Sequence, residues 1–200
     1  MLNFPNAKIN LGLFITSRLE DGYHTLETLF YPTNWCDILE ITENKNYSKS
    51  QPEVSFHLSG LSVDGPTNQN LCCKAYHLLK DKFNLPPIHI FLHKQIPTGA
   101  GLGGGSSDGA HTLLLLNNLF GLNISHEILS EYALKLGSDC PFFISNKPSF
   151  ATSKGEILNA APEILRGSFL VIIKPSIAIS TAMAYSMIKP EIPERKIAEI

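Results

Sequence analysis

Pro97-Thr98-Gly99-Ala100-Gly101-Leu102-Gly103-Gly104-Gly105-Ser106-Ser107-Asp108-Gly109-Ala110 is the stretch on which the fold turns. Five of the chain's 14 glycines fall between Gly99 and Gly105. Residues 88–94 lead into it with strand alternation, and an apolar run over 110–120 leads out of it as a helix. Glycine tolerates positive φ and lets a ligand come close to the backbone. A loop of this kind, opening into a helix, presents unpaired N–H groups at the positive end of the helix dipole. The stretch therefore reads as an anion cradle, with phosphate as the usual occupant. A flexible linker fits poorly, because these glycines are wedged between two regular elements.

The 200 residues suffice for one good core, or for one domain and part of a second. A hydrophobic share of 44% against 17% charged excludes a disordered chain. Sixteen basic and 18 acidic residues give a net charge of −2, with no electrostatic footprint for nucleic acid or an anionic membrane. Lys8 is the only charge before residue 14, and no apolar segment of signal-peptide type surrounds it. The run from Leu113 to Leu116 is far too short to span a bilayer. Cys36, Cys72, Cys73 and Cys140 form no C-x-x-C pair and read as reduced thiols in small core positions, so a cytoplasmic chain is expected.

Working outward, residues 3–16 alternate and put Lys8 and Asn10 on one face of a strand. Asp21-Gly22 supplies a turn, and residues 23–30 alternate again. Short strands are expected at 37–42 and 54–59. Residues 70–83 read as a helix with Leu71, Ala75, Leu78 and Leu79 on one stripe, stopped by Pro86-Pro87. Ser125 caps a further helix, whose stripe is Ile128, Leu129, Tyr132, Ala133 and Leu136, and Gly137 ends it. Ser138-Asp139-Cys140-Pro141 follows. Strands are expected at 150–152 and, buried, at 169–173. Strands first and a mixture afterwards favour α+β over a doubly wound sheet. His89 and His93 are four apart, but on a strand that separates them by about 13 Å, so no structural metal is expected.

Three nucleotide loops fail the comparison. A Walker A loop needs a lysine after its last glycine, and none follows Gly104 or Gly105. Gly99, Gly101 and Gly104 make the dinucleotide fingerprint, but the required acid at a second strand's end is replaced by a capped helix carrying Glu127 and Glu131. The V-A-I-K and H-R-D segments of protein kinases do not occur.

What remains, P-x-x-x-G-L-G-G-G-S-S-D, resembles the phosphate loop of the GHMP small-molecule kinases. Pro5-Asn6-Ala7-Lys8-Ile9-Asn10-Leu11, Asp21-Gly22-Tyr23-His24-Thr25-Leu26 and Gly137-Ser138-Asp139-Cys140-Pro141-Phe142-Phe143 accompany it. Their order and approximate spacing are similar to those of one family, the 4-diphosphocytidyl-2-C-methyl-D-erythritol kinases of the non-mevalonate isoprenoid route. The likeness runs to about Tyr185. It implies an α+β GHMP kinase fold. Residues 1–150 would form the N-terminal ATP-binding domain, with a layer like the second domain of ribosomal protein S5. Residues 151–200 would begin an incomplete, ferredoxin-like substrate domain.

The resemblance implies transfer of the γ-phosphoryl group of ATP, with Mg²⁺, to the 2-hydroxyl of the cytidine diphospho-methylerythritol substrate. It implies a small-molecule partner only, with neither nucleic acid nor membrane, and a monomer or weak homodimer. Residue by residue, Lys8 and Asp139 match the catalytic pair. Pro97, Thr98, Gly99, Ala100, Gly101, Leu102, Gly103, Gly104, Gly105, Ser106 and Ser107 match the phosphate loop, the two serines as donors or magnesium contacts. Asn70, Leu71 and Lys94 would lie near the adenosine. Asn10, Tyr23, His24 and Tyr185 would bind the substrate, the two tyrosines by stacking on the cytosine. Read singly, Lys8 is an ordinary strand lysine and Asp139 a turn or cap residue; only the joint pattern gives them chemistry.

Two departures stand out. Gly109 replaces an alanine common in the family. Family members are also longer and carry a third glycine-rich motif, whereas Gly167 is the last glycine here. A fragment of a longer product or a shortened relative is therefore expected. Two other readings stay open: another GHMP kinase, acting on homoserine or mevalonate, which should lack the D-G-Y-H segment, and a nucleotide-binding module without turnover.

Overall fold

In the computed structural model, which describes residues 1–175, 183–184 and 187–199, Pro5 splits the first alternating run in two. Proline has no N–H for a ladder, and its carbonyl instead accepts the Asp37 amide at 2.8 Å. Before it, β1 (Leu2–Asn3) joins β4 (Ile38–Glu43); after it, β2 (Asn6–Arg18) pairs with β3 (His24–Cys36) in a different sheet. The first sheet runs β1-β4-β6-β5, with β5 (Val54–Gly60) parallel to β6 (Ile88–Lys94). The second runs β2-β3-β7-β8, all antiparallel, with β7 at Ser149–Thr152 and β8 at Ile157–Ala160.

Parity decides the core. Ile88, Ile90, Leu92 and Lys94 of β6 face inward, while His89, Phe91 and His93 alternate toward the outside. Leu39 and Ile41 extend the same inner face. Against it pack α1 (Leu71–Phe83), α2 (Gly104–Leu119), α3 (His126–Leu136) and α4 (Cys140–Ser145), which bring Tyr76, Leu79, Leu113, Leu116, Leu129, Phe142 and Phe143 into one cluster. Each such side chain stabilises the fold by about 1.5–3 kcal/mol through burial. Cys72, Cys73 and Cys140 sit in this interior as small apolar residues. Ser125 caps α3 as expected, whereas Asn70, read as the first residue of its helix, is the N-cap of α1 and accepts from the Cys72 amide at 2.9 Å.

Four expectations change. The helix after the glycines starts at Gly104, well before residue 110, because the loop's own small residues supply its first turn. Residues 140–145 form α4, where no helix was expected, with Asp139 at its N-cap position; Pro141 sits in its first turn, where a missing N–H costs nothing. The four-residue β8 had no alternation to announce it. The buried strand expected at 169–173 does not form: Phe169, Val171 and Ile173 are exposed, since no strand pairs with that run among the described residues. No helix among the described residues is long and apolar enough to cross a membrane.

Candidate active site

Strand β6 delivers the chain to the glycine loop, and α2 takes it away. Gly103, the N-cap of α2, has φ +70° and no side chain with which to cap the helix. The first intrahelical bond runs from Ser107 N to Gly103 O at 2.8 Å, so the amides of Gly104, Gly105 and Ser106 precede the ladder. A Cβ on Gly103 would lie 2.8 Å from Phe143 Cζ and 3.0 Å from Lys8 Cγ, so the backbone approaches both side chains as only glycine permits. Two contacts fix the loop. The Lys8 amide donates to Leu102 O at 2.9 Å, and Asp37 Oδ1 accepts from the amides of Gln95 and Ile96 at 2.6 and 2.8 Å.

Lys8 lies on β2 and is 5% exposed. Its ammonium donates to Asn10 Oδ1 at 2.6 Å, stands 3.4 Å from Asp139 Oδ2 and sits 4.8 Å from the centre of the Phe30 ring. Asn10 is held in turn: its Nδ2 donates to Thr28 Oγ1 at 2.9 Å, and that hydroxyl donates to Gly12 O. The amide oxygen of Asn10 is thereby aimed at the ammonium. Asp139 caps α4 by position, without a side-chain cap bond, and its side chain is 33% exposed. With two oxygen partners and three N–H groups, Lys8 keeps a donor for a ligand.

A cleft of about 1180 Å³ joins these groups. Lys8, Asn10, Tyr23, His24 and Asp139 line it together with Gly99, Ala100, Gly101, Gly103 and Ser106. Three charged residues that sequence reasoning missed also line it: Arg18, Asp21 and Lys154. Lys154 Nζ bonds Asp21 Oδ2 at 2.6 Å and lies 4.6 Å from the centre of the Tyr23 ring. This hydrogen bond and the Tyr23 amide hold the Asp21 carboxyl below its ordinary value, and Asp21 raises Lys154 in return. Local sequence offered no sign of Lys154. It arrives through the β3–β7 pairing and the bond from Leu26 N to Ser153 O at 2.7 Å.

Other expected residues stand elsewhere. Pro97, Thr98, Leu102, Gly104 and Gly105 belong to the loop or the first turn of α2 but are not in the cleft lining. Ser107 is fully buried within the first turn of α2, so of the two loop serines Ser106 is the one that lines the cleft. Asn70 is spent on capping α1, and Leu71 packs under Gly109, where a Cβ would meet its own at 3.0 Å. Lys94 is interior, bonded to Asp37 and, at 2.8 Å, to Asp108 Oδ2. Tyr185 lies outside the described residues. Among the described residues no three His, Cys, Asp or Glu side chains gather to hold a metal ion. Ser106 and Asp139 beside the helix N-terminus fit a hard cation carried in on phosphate oxygens.

Comparison with known proteins fits this geometry. Residues 70–147 match the GHMP kinases N terminal domain. The chain is 50% identical over 200 residues to the 4-diphosphocytidyl-2-C-methyl-D-erythritol kinase of Bacteroides fragilis, covering all of this chain and 72% of that protein. It is 45% identical to the kinase of the same name from Cytophaga hutchinsonii, over 100% of this chain and 72% of the relative. A crystal structure of 4-(cytidine 5'-diphospho)-2C-methyl-D-erythritol kinase superposes with TM-score 0.65 at 37% identity, covering 80% of this chain and 55% of that one. The chain therefore spans about half the length of that solved relative. Methanococcus jannaschii mevalonate kinase, at 15% identity and TM-score 0.62 over 84% and 58% of the two chains, shares the fold.

Proposed function

The chain belongs to the 4-diphosphocytidyl-2-C-methyl-D-erythritol kinase family within the GHMP kinases, and from that premise we propose that it transfers the γ-phosphoryl group of ATP to the 2-hydroxyl of the cytidine diphospho-methylerythritol substrate. One observation carries the reading: a single cleft gathers a glycine-capped helix N-terminus, a lysine–aspartate pair, and Tyr23 with His24. The first suits phosphate, the second suits activation of a hydroxyl, and the third suits a base that must be stacked and hydrogen-bonded. Residues 1–150 would then be the ATP-binding domain, and 151–200 the start of a substrate domain.

Phosphoryl transfer is mostly positioning and charge stabilisation. The loop amides of Gly99, Gly101 and Gly103 with that of Ser106, all in the cleft lining, would hold the phosphates against the positive end of α2. Asp139 Oδ2 faces Lys8, which leaves Oδ1 to take the proton of the attacking hydroxyl. The Lys8 ammonium, fixed by Asn10, would stabilise charge on the transferring oxygens. Mg²⁺, arriving with ATP and met by Ser106 and Asp139, would neutralise the phosphate oxygens. Tyr23, braced by Lys154, would stack on the cytosine while His24 bonds its polar edge.

Phosphorus NMR on the 200-residue chain with ATP, Mg²⁺ and the cytidylated substrate tests the reading. ADP and a phosphomonoester on the methylerythritol moiety are expected. Phosphorylation of cytidine-free sugar alcohols but never of the cytidylated compound would remove the substrate assignment. ATP binding without any product would leave a nucleotide-binding module.

A further inference from the structure

Beneath the phosphate loop lies a second lysine cluster that touches no part of the cleft. Lys94 is the last residue of β6 and so marks where the loop begins; Asp108 is in the second turn of α2, just past where it ends. Asp37 comes from the corner between β3 and β4. The Lys94 ammonium donates to Asp37 Oδ2 and to Asp108 Oδ2, and all three residues are essentially sealed from solvent. Asp37 Oδ1 takes the amides of Gln95 and Ile96, the first two residues of the loop. One ammonium thus ties the chain entering the loop to the helix leaving it, and the same carboxylate grips the loop's first peptides.

We propose that Lys94, through Asp37 and Asp108, is a positioning residue that closes the base of the glycine loop and sets the distance between its two ends. This rests on reading the loop as an ATP phosphate site. It departs from the role the family resemblance implied for Lys94, because its side chain is sealed inside the protein between two buried carboxylates and does not line the cleft. A second observation points the same way. A Cβ on Gly104 would lie 3.2 Å from Lys94 Nζ and 2.9 Å from Ile96 Cγ2, so the first helical residue rests directly on the strut. Burial pushes the Asp108 carboxyl up to about 7. A protonated Asp108 still accepts from Lys94 through its second oxygen and leaves the Lys94–Asp37 pair electrically balanced.

Replacing a buried ion cluster as a whole is often neutral for stability, whereas removing one member strands the others. The decisive variant is therefore the triple change Asp37→Asn, Lys94→Met, Asp108→Asn, with Asp108→Asn alone as the conservative control. Amide hydrogen exchange on the intact chain reads the loop directly. Exchange over residues 95–106 should rise about tenfold in the triple variant, with α1 and α3 unchanged, and should stay near wild type in Asp108→Asn. In turnover assays the KM for ATP should rise about tenfold, and that for the cytidylated substrate should stay within about twofold. Loop exchange equal to wild type in the triple variant, or a uniform rise across all helices, overturns the strut. If the wild-type chain turns nothing over, the functional reading fails, and the exchange data still decide the strut.

Discussion

Lys8 and Lys94 are both nearly sealed, 5% and 2% exposed, and both end beside aspartates on either side of one loop. The difference that matters lies in the carboxylates. The carboxylates that Lys94 meets are interior, and one of them is also occupied by two backbone amides. The carboxylate that Lys8 meets is 33% exposed and opens onto a cleft of about 1180 Å³. The partner's access, not the lysine's own burial, separates a side chain that shapes the fold from one positioned to do chemistry.

The largest effect that would break this contrast is at Asp139. If its carboxylate acts on substrate, Asp139→Ala should lower kcat by about 10²–10⁴-fold. It should leave the melting temperature close to wild type, because the side chain is partly solvated and caps nothing. Wild-type turnover in that variant would place Lys8–Asp139 beside Lys94 as structure. Lys94→Met, by contrast, strands two buried carboxylates and should act first on stability.

A smaller effect tests the loop where the two lysine sites meet. Gly103 has φ +70° and presses on Lys8 and Phe143, whereas Gly105, two residues on, has open space where a Cβ would go and no positive φ. Gly103→Ala should therefore cost about 1–3 kcal/mol in a urea titration, and weaken ATP binding as well. Gly105→Ala should stay within about 0.5 kcal/mol. Equal losses at both positions would mean that the loop's glycines serve flexibility rather than close approach.

Much of this was legible in the chain, for local reasons. The glycine loop, the strand 88–94, the cap at Ser125 and the stop at Gly137 depend on neighbours within a few residues, and each formed where its residues ask for it. The reading lost ground wherever distance in sequence mattered. Parity along β6 already put Lys94 with Ile88, Ile90 and Leu92 on the inner face, yet the family resemblance drew it toward ATP. Only the long-range contact with Asp37 and the return of α2 show what the side chain meets. Lys154 reaches Tyr23 through a sheet pairing that no local pattern announces. The apolar run at 169–173 looked buried because composition records hydrophobicity but not whether a covering layer is present.

The smallest effect is a slope with pH, and it separates the interior cluster from the cleft by linking its protons to folding. Asp108 and His111 lie one turn apart on α2, both buried. Burial raises the Asp108 carboxyl from 3.8 to about 7 and lowers the His111 imidazole from 6.5 to about 4. Between those limits the folded chain keeps a proton on Asp108 that the unfolded chain has released. That contribution to stability is present at the acid end and is lost as pH rises toward 7. The folded chain also lacks a proton on His111 that the unfolded chain binds below 6.5, so this contribution is present near neutrality and is lost as pH falls toward 4. Each slope is at most about 1.4 kcal/mol per pH unit, and over the shared window the two offset each other. His111→Phe should expose the first slope, so that the urea midpoint declines from pH 4.5 to 6.5. Asp108→Asn should expose the second, so that the midpoint climbs over the same range. Slopes of the same sign in both variants would show that Asp108 is ionised throughout and that the strut carries a full extra negative charge.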